Sequence, residues 1–241
     1  MDDAPNAGVS RRSLPFSYAF AKRWHFASFA IAIVAWVVYE YASDIAKGFF
    51  DIYTLIAYYI PIAYGPAAIA LSVLFWIDKT YLRQGIEFVG KINKTLVISC
   101  LFAVLSVYLS GHGLAWLMGY PREPFMQDLY QYQSTTTQLV VFLVSLLILP
   151  PIVEEMLYRH FFLSVIPFKR NAWLAVLAVV VPAVAFTLVH RQYEYWTTYA
   201  TLFGFAVVSG VARVMSRGML LSILLHVFAI GVALLLNEIV A

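Results

Sequence analysis

The sequence predicts an all-α, polytopic integral membrane protein, a bundle of about seven transmembrane helices, and three observations carry that expectation. Hydrophobic residues make up 62% of the 241 and charged residues only 12%, a balance foreign to soluble domains. Mean hydropathy is +0.80. Apolar stretches of about 20 residues, the length a helix needs to cross some 30 Å of hydrocarbon, recur along the whole chain.

The elements follow in order. Residues 1–23 are polar and carry Arg11, Arg12, Lys22 and Arg23 ahead of the first apolar run. That run, Trp24 to about Tyr41, is too long for the core of a signal peptide and no small-residue cleavage site follows. It reads as an uncleaved anchor behind a cytoplasmic tail. Residues 24–241 read as a single transmembrane domain, with apolar segments at about 24–45, 50–77, 95–118, 136–166, 171–190, 195–216 and 218–240. With the N-terminus inside, Arg11, Arg12, Lys22, Arg23, Lys79, Arg83, Lys91, Lys94, Lys169, Arg170, Arg213 and Arg217 fall on cytoplasmic connections. Only Lys47, Arg122 and Arg191 fall on the other side, and Arg159 is left inside a span. This bias sets N-inside, C-outside, and the basic anchor leads to an expected place in a bacterial inner (plasma) membrane.

Pro61 and Pro66 in the second segment, and Pro150 and Pro151 in the fourth, each remove a backbone donor and are expected to bend their helices. The polar stretch Gly119–Gln138 is the longest external loop. It reads as a connector, with a lid or substrate-facing surface as the alternative. The single cysteine, Cys100, excludes an intramolecular disulfide. A scattered net charge of +3 implies no nucleic-acid partner, and the lack of an internal repeat weakens an inverted-repeat transporter. The first three segments carry no recognisable chemistry.

The fourth segment does. LILPPIVEEMLYRHFFL, Leu147 to Leu163, places Glu154, Glu155 and Arg159 in an otherwise apolar run, where each charge costs about 2.5–3.5 kcal/mol on insertion scales unless paired or wet. Glu155 and Arg159 are four apart with the glutamate first, the favoured order for a helical ion pair. Glu154 is rotated about 100° from its neighbour and faces another surface. One carboxylate is held and the other is free. An isolated pair would be read as helix packing; a second carboxylate just after a double proline points to a wet site. His190 ends the fifth segment with Phe186 one turn before it, and His226 lies in the seventh with Ser222 one turn before it. Either histidine alone reads as a helix–helix hydrogen bond. Together with Glu154 they form the carboxylate–imidazole set that takes a proton from water and returns it to a leaving amine. His25 and His112 read as interfacial residues, and His160 as a packing residue turned away from Glu154.

Three strings, EEMLYR (Glu154–Arg159), FTLVH (Phe186–His190) and SILLH ending at His226, resemble the EExxxR, FxxxH and final histidine motifs of the CPBP (Abi) family of CAAX-type proteases and bacteriocin-processing enzymes. The likeness covers about residues 136–230. It implies an intramembrane glutamic endopeptidase acting on a protein or peptide in or at the bilayer. Glu154 and His190 would activate water, Glu155 and Arg159 would order the site, and His226 would stabilise the oxyanion. Phe186 and Ser222 would support them. The family's last motif commonly continues HxxxN, but this chain has Ile230 there. An oxyanion donor is worth roughly 2.7–4 kcal/mol, so another donor such as Ser222 would have to serve, or the enzyme is slow or inactive. Asn237 lies about 16 Å further along the helix, too far to substitute.

Depth raises a conflict. Counted at about 1.5 Å per residue from the inner loops, Glu154, His190 and His226 lie at roughly 21, 30 and 13 Å, so straight parallel helices would keep them apart. Two other readings use the same residues. A zinc hydrolase would take Glu154, His190 and His226 as ligands, although HExxH spacing is absent; the expectation here is no cofactor. A non-catalytic immunity-type protein or transporter would use the charges for binding.

Overall fold

A computed structural model describes residues 24–83, 87–131 and 133–239; the basic residues Arg11, Arg12, Lys22 and Arg23 lie outside them. The described chain is helical throughout, with no strand and seven helices long and apolar enough to span a bilayer. It is an integral membrane protein, and outward-facing Ile33, Ile69, Phe102 and Val176 are exposed as a lipid-facing surface requires.

The helices are α1 (Phe26–Lys47), α2 (Ile52–Ala57), α3 (Tyr59–Ile77), α4 (Lys94–Leu117), α5 (Pro124–Gln131), α6 (Thr136–Glu154), α7 (Ala172–Val189), α8 (Trp196–Ser216) and α9 (Leu220–Ile239). Their starts follow from local chemistry. Asp51, Asn93 and Asn171 cap α2, α4 and α7 through their side-chain oxygens, and Thr135 with Gln138 forms a capping box on α6. The expected second segment is therefore divided, because Asp51 starts a short helix that breaks at Tyr58 (φ −127°) before α3 begins. Pro61 falls in the first turn of α3, where a missing donor costs little. At Pro66, Pro150 and Pro151 the helix continues. Further on, α3 runs on as a π turn, Asp78–Leu82, and α6 as a π-helix, Glu155–Phe162, the wide turn that often accompanies functional sites.

α3 packs on α1 and α6, and α8 on α4 and α7. Small residues let α8 approach closely: a Cβ on Gly204 would come within 2.9 Å of Val107 on α4, and one on Gly210 within 3.0 Å of Val179 on α7.

One end of the bundle holds the loops before α3, α5 and α8. At the other end, residues 87–91 are stitched to the α8–α9 turn by Lys91 N–H to Ser216 carbonyl (2.6 Å) and by Met219 and Leu220 N–H to Phe88 carbonyl (2.7 and 2.9 Å). Gly90 takes φ +72° there and Gly218 lies directly against the Val89 carbonyl. Beside this stitch Asp78 binds Arg83 (Nε–Oδ1 2.8 Å) and His160 (Nε2–Oδ2 2.8 Å), all three buried. Arg83, just beyond the π turn on the connection that follows, is a partner in this polar network, and so is His160, expected only to pack.

Gly218→Ala should force its Cβ into the Val89 carbonyl and cost about 1–3 kcal/mol, the usual range for overpacking. The thermal midpoint in detergent should fall, and a midpoint equal to wild type would contradict the close crossing.

Candidate active site

The motif residues meet around a cavity of about 560 Å³, to which α1, α3, α4, α6, α7, α8 and α9 all contribute. Glu155, the first residue of the π-helix, is wholly buried and fully engaged. Its Oε2 forms an ion pair with Arg159 Nε (3.2 Å) and accepts from Ser209 Oγ (2.7 Å), and its Oε1 faces His226 Nδ1 at 2.9 Å. The expected i,i+4 pair is therefore present. Arg159 is 1% exposed, and neither Nη atom has a hydrogen-bond partner. Aromatic faces take that place, with Phe186, Phe205 and Tyr158 centroids 4.6, 5.7 and 5.9 Å from its guanidinium carbon.

Glu154, one residue earlier, is differently placed. It lines the cavity, 6% exposed, and its Oε1 accepts from Tyr64 OH at 3.3 Å. Its Oε2 lies 4.0 Å from His190 Nε2 and 3.8 Å from His226 Nε2. The partners of the two Nδ1 atoms fix both rings. His190 Nδ1 is 2.6 Å from the Phe186 carbonyl, which can only accept, so the proton sits on Nδ1 and Nε2 keeps its lone pair when the ring is neutral. His226 Nδ1 donates to the Glu155 carboxylate in the same way. Two imidazole Nε2 atoms and one carboxylate oxygen thus face a gap the width of a bridging water.

The expected conflict in depth is resolved by uneven helix ends. α6 runs 19 residues from Thr136 to Glu154, about 27 Å, whereas α7 stops one residue short of His190. The end of α7 and the His190–Tyr195 turn therefore sit inside the bundle, not level with the start of α6. Residues 120–125 of the Gly119–Gln138 stretch roof this turn. Tyr120 stacks on Tyr195 (4.6 Å), Phe125 meets Tyr193 edge-on (5.8 Å), and Glu123 accepts from the backbone N–H groups of Glu194 (3.0 Å) and Tyr195 (3.2 Å) and from Thr198 Oγ1. It is thus more than a connector.

Several site residues escaped the sequence. Tyr64 on α3, and Tyr39 and Tyr108 on α1 and α4, line the cavity, so the first three segments do contribute. Their only signal was a hydroxyl in an apolar span. Ser209 is equally unmarked. Tyr193 stacks parallel to His190 (6.1 Å, 7°), and burial, with the nearby Glu154 and Glu123 charges, pushes its hydroxyl above the ordinary range, so it stays a donor. Phe186 is buried against both histidines and Arg159. Ser222, suggested as an oxyanion donor, is instead buried and donates to the Ser209 carbonyl at 3.0 Å. It ties α9 to α8 beside Glu155. Ile230 lines the cavity and brings no donor, and Asn237 lines it farther along α9. Among the described residues no three His, Cys, Asp or Glu groups form a metal-binding set, Glu154, His190 and His226 included.

Removing either member of the buried pair leaves the other uncompensated. Glu155→Leu or Arg159→Leu should cost about 3–5 kcal/mol, read as a large drop in thermal midpoint and in membrane accumulation. Glu154→Gln, which breaks no ion pair with arginine or lysine, should leave both near wild type.

Residues 136–231 match the family described as Type II CAAX prenyl endopeptidase Rce1-like. An uncharacterized 24.3 kDa protein of Escherichia coli is 29% identical over 177 residues, covering 73% of this chain and 80% of that protein. No solved structure matches. The matched segment holds Glu154, Glu155, Arg159, His190 and His226, so the motif-bearing part of this membrane protein is similar to the Rce1-like type II CAAX prenyl endopeptidases.

Proposed function

We propose that the protein is an intramembrane glutamic endopeptidase that hydrolyses a peptide bond of a membrane-associated substrate. One observation carries this reading: a cavity-facing Glu154 carboxylate oxygen lies within 4.0 Å of two imidazole Nε2 atoms whose tautomers are fixed from behind. Water held in that gap gives its proton to Glu154, with His190 Nε2 orienting it, as its oxygen bonds to the scissile carbonyl carbon. The carbonyl π pair moves to oxygen. His226, when protonated, donates Nε2–H to that oxyanion, and the Glu155 carboxylate on its Nδ1 balances the charge. Collapse breaks the C–N bond, and the leaving amine takes the proton held by Glu154. Arg159, Phe186 and Ser222 keep Glu155 and the histidines in place.

In the N-inside orientation that the basic residues favour, the cavity opens toward the non-cytoplasmic end of the bundle. The proposed location is a bacterial inner membrane. A second, non-catalytic reading, an immunity-type protein or transporter that binds a partner through these charges, draws support from Ile230, which places no donor beside His226.

In purified protein His190→Ala and His226→Ala should each lower cleavage by about 10²–10⁴-fold, assayed on a membrane peptide by mass spectrometry. Chelators should leave the wild-type rate unchanged, since no step uses a metal. Inactivation by chelator with recovery on adding zinc would instead make Glu154, His190 and His226 metal ligands.

A further inference from the structure

The same cavity carries a second set of polar groups for which the mechanism has no use. Arg122, on the roof between α4 and α5, has its Nε and Nη2 atoms buried without a hydrogen-bond partner, and so does His112 Nε2 on α4. Both residues line the cavity. Buried polar nitrogens are almost always paired, and a guanidinium left unpaired is especially costly.

Two carboxylates on the cavity wall, those of Glu123 and Asp44, are engaged elsewhere. Glu123, next in the chain, gives its carboxylate to the start of α8 and to Thr198, and Asp44 on the cavity wall is paired with Lys47 at 2.7 Å.

The shape of the unpaired groups names a ligand. Nε and Nη2 lie on one edge of the guanidinium and present two parallel N–H donors, the fork that receives a carboxylate in bidentate fashion. Arg83 uses the same two atoms on Asp78 in this chain. His112 Nε2 is a third donor on the same cavity when it carries the proton.

We propose that Arg122, with His112, forms a carboxylate-binding subsite that holds a carboxylate of the substrate peptide and so selects what enters the cavity. This rests on the peptidase reading for the word substrate, but the binding does not. Glu154 and the subsite share one cavity of about 560 Å³, room for only a short piece of chain between them. The carboxylate is the peptide's own C-terminus or an Asp or Glu side chain close to the scissile bond.

The test measures binding without cleavage. The full-length Glu154→Gln protein in phosphatidylcholine nanodiscs is titrated with a fluorescent hydrophobic hexapeptide in three forms: free C-terminal acid, C-terminal amide, and the amide with one internal glutamate. The subsite predicts that the acid, the glutamate-bearing amide, or both bind at least about tenfold more tightly than the plain amide, as for a hydrogen bond to a charged group. Adding Arg122→Gln should abolish that preference without lowering the thermal midpoint, and Arg122→Lys should keep part of it. Preference for the acid alone assigns the C-terminus; preference for the glutamate form assigns a side chain. Equal binding of all three peptides, or a preference that survives Arg122→Gln, overturns the proposal. Loss of cleavage in Glu154→Gln is a separate result, so the subsite and the peptidase reading fail independently.

Discussion

Everything around the cavity depends on the buried carboxylate of Glu155. A wholly desolvated carboxylate is tolerable only when its lone pairs are filled and an opposite charge stands close, and this one has Arg159, Ser209 and His226. Those three partners come from the helix carrying the glutamate, from α8 and from α9. One anion therefore joins three elements that are distant in sequence. Arg159 in turn is held by Phe186 of α7 and Phe205 of α8 as well as by Glu155, which brings in the helix that ends at His190. The energetic cost of burying an ion pair is offset here by geometry: the pair decides which faces of α6, α7, α8 and α9 look at one another.

Glu154 faces the cavity because its neighbour is so fully engaged. Adjacent residues on a helix point about 100° apart. Fixing Glu155 toward α8 and α9 turns Glu154 toward the cavity, where a tyrosine hydroxyl and two imidazoles face it. The π-helix begins at Glu155 itself. The chain thus changes geometry between a carboxylate that faces the cavity and one that is held by the fold. His226 serves both sides, with Nδ1 on the structural carboxylate and Nε2 toward the free one, so the stability of the bundle and the orientation of the site share one hydrogen bond.

Much of this was legible in the sequence, and for identifiable reasons. Span length and hydropathy are properties of consecutive residues, so the seven membrane helices could be read directly. The i,i+4 spacing of Glu155 and Arg159 is equally local, and the held and free carboxylates followed from it. What stayed hidden depends on how helices face one another. Tyr64 and Ser209 are ordinary hydroxyls until α3 and α8 turn them toward the glutamates, and nothing in their flanking residues marks them. The sunken end of α7 was invisible because counting residues assumes that every span starts and stops at the membrane surface. Ser222 was misjudged for a similar reason: its position one turn from His226 is real, but its hydroxyl is taken by the Ser209 carbonyl. The Asp78–Arg83–His160 network joins residues as many as 82 positions apart, beyond any periodic signal.

The central claim is that a free intramembrane carboxylate, presented by a held one, performs peptide hydrolysis. Its most direct test compares protein N- and C-termini by mass spectrometry in cells containing equal amounts of wild-type or Glu154→Gln protein. The account predicts at least one defined terminus present with wild type and absent with the variant. Identical sets of termini, in cells where deleting the protein still has a phenotype, would contradict it and leave Glu154 as part of a binding site.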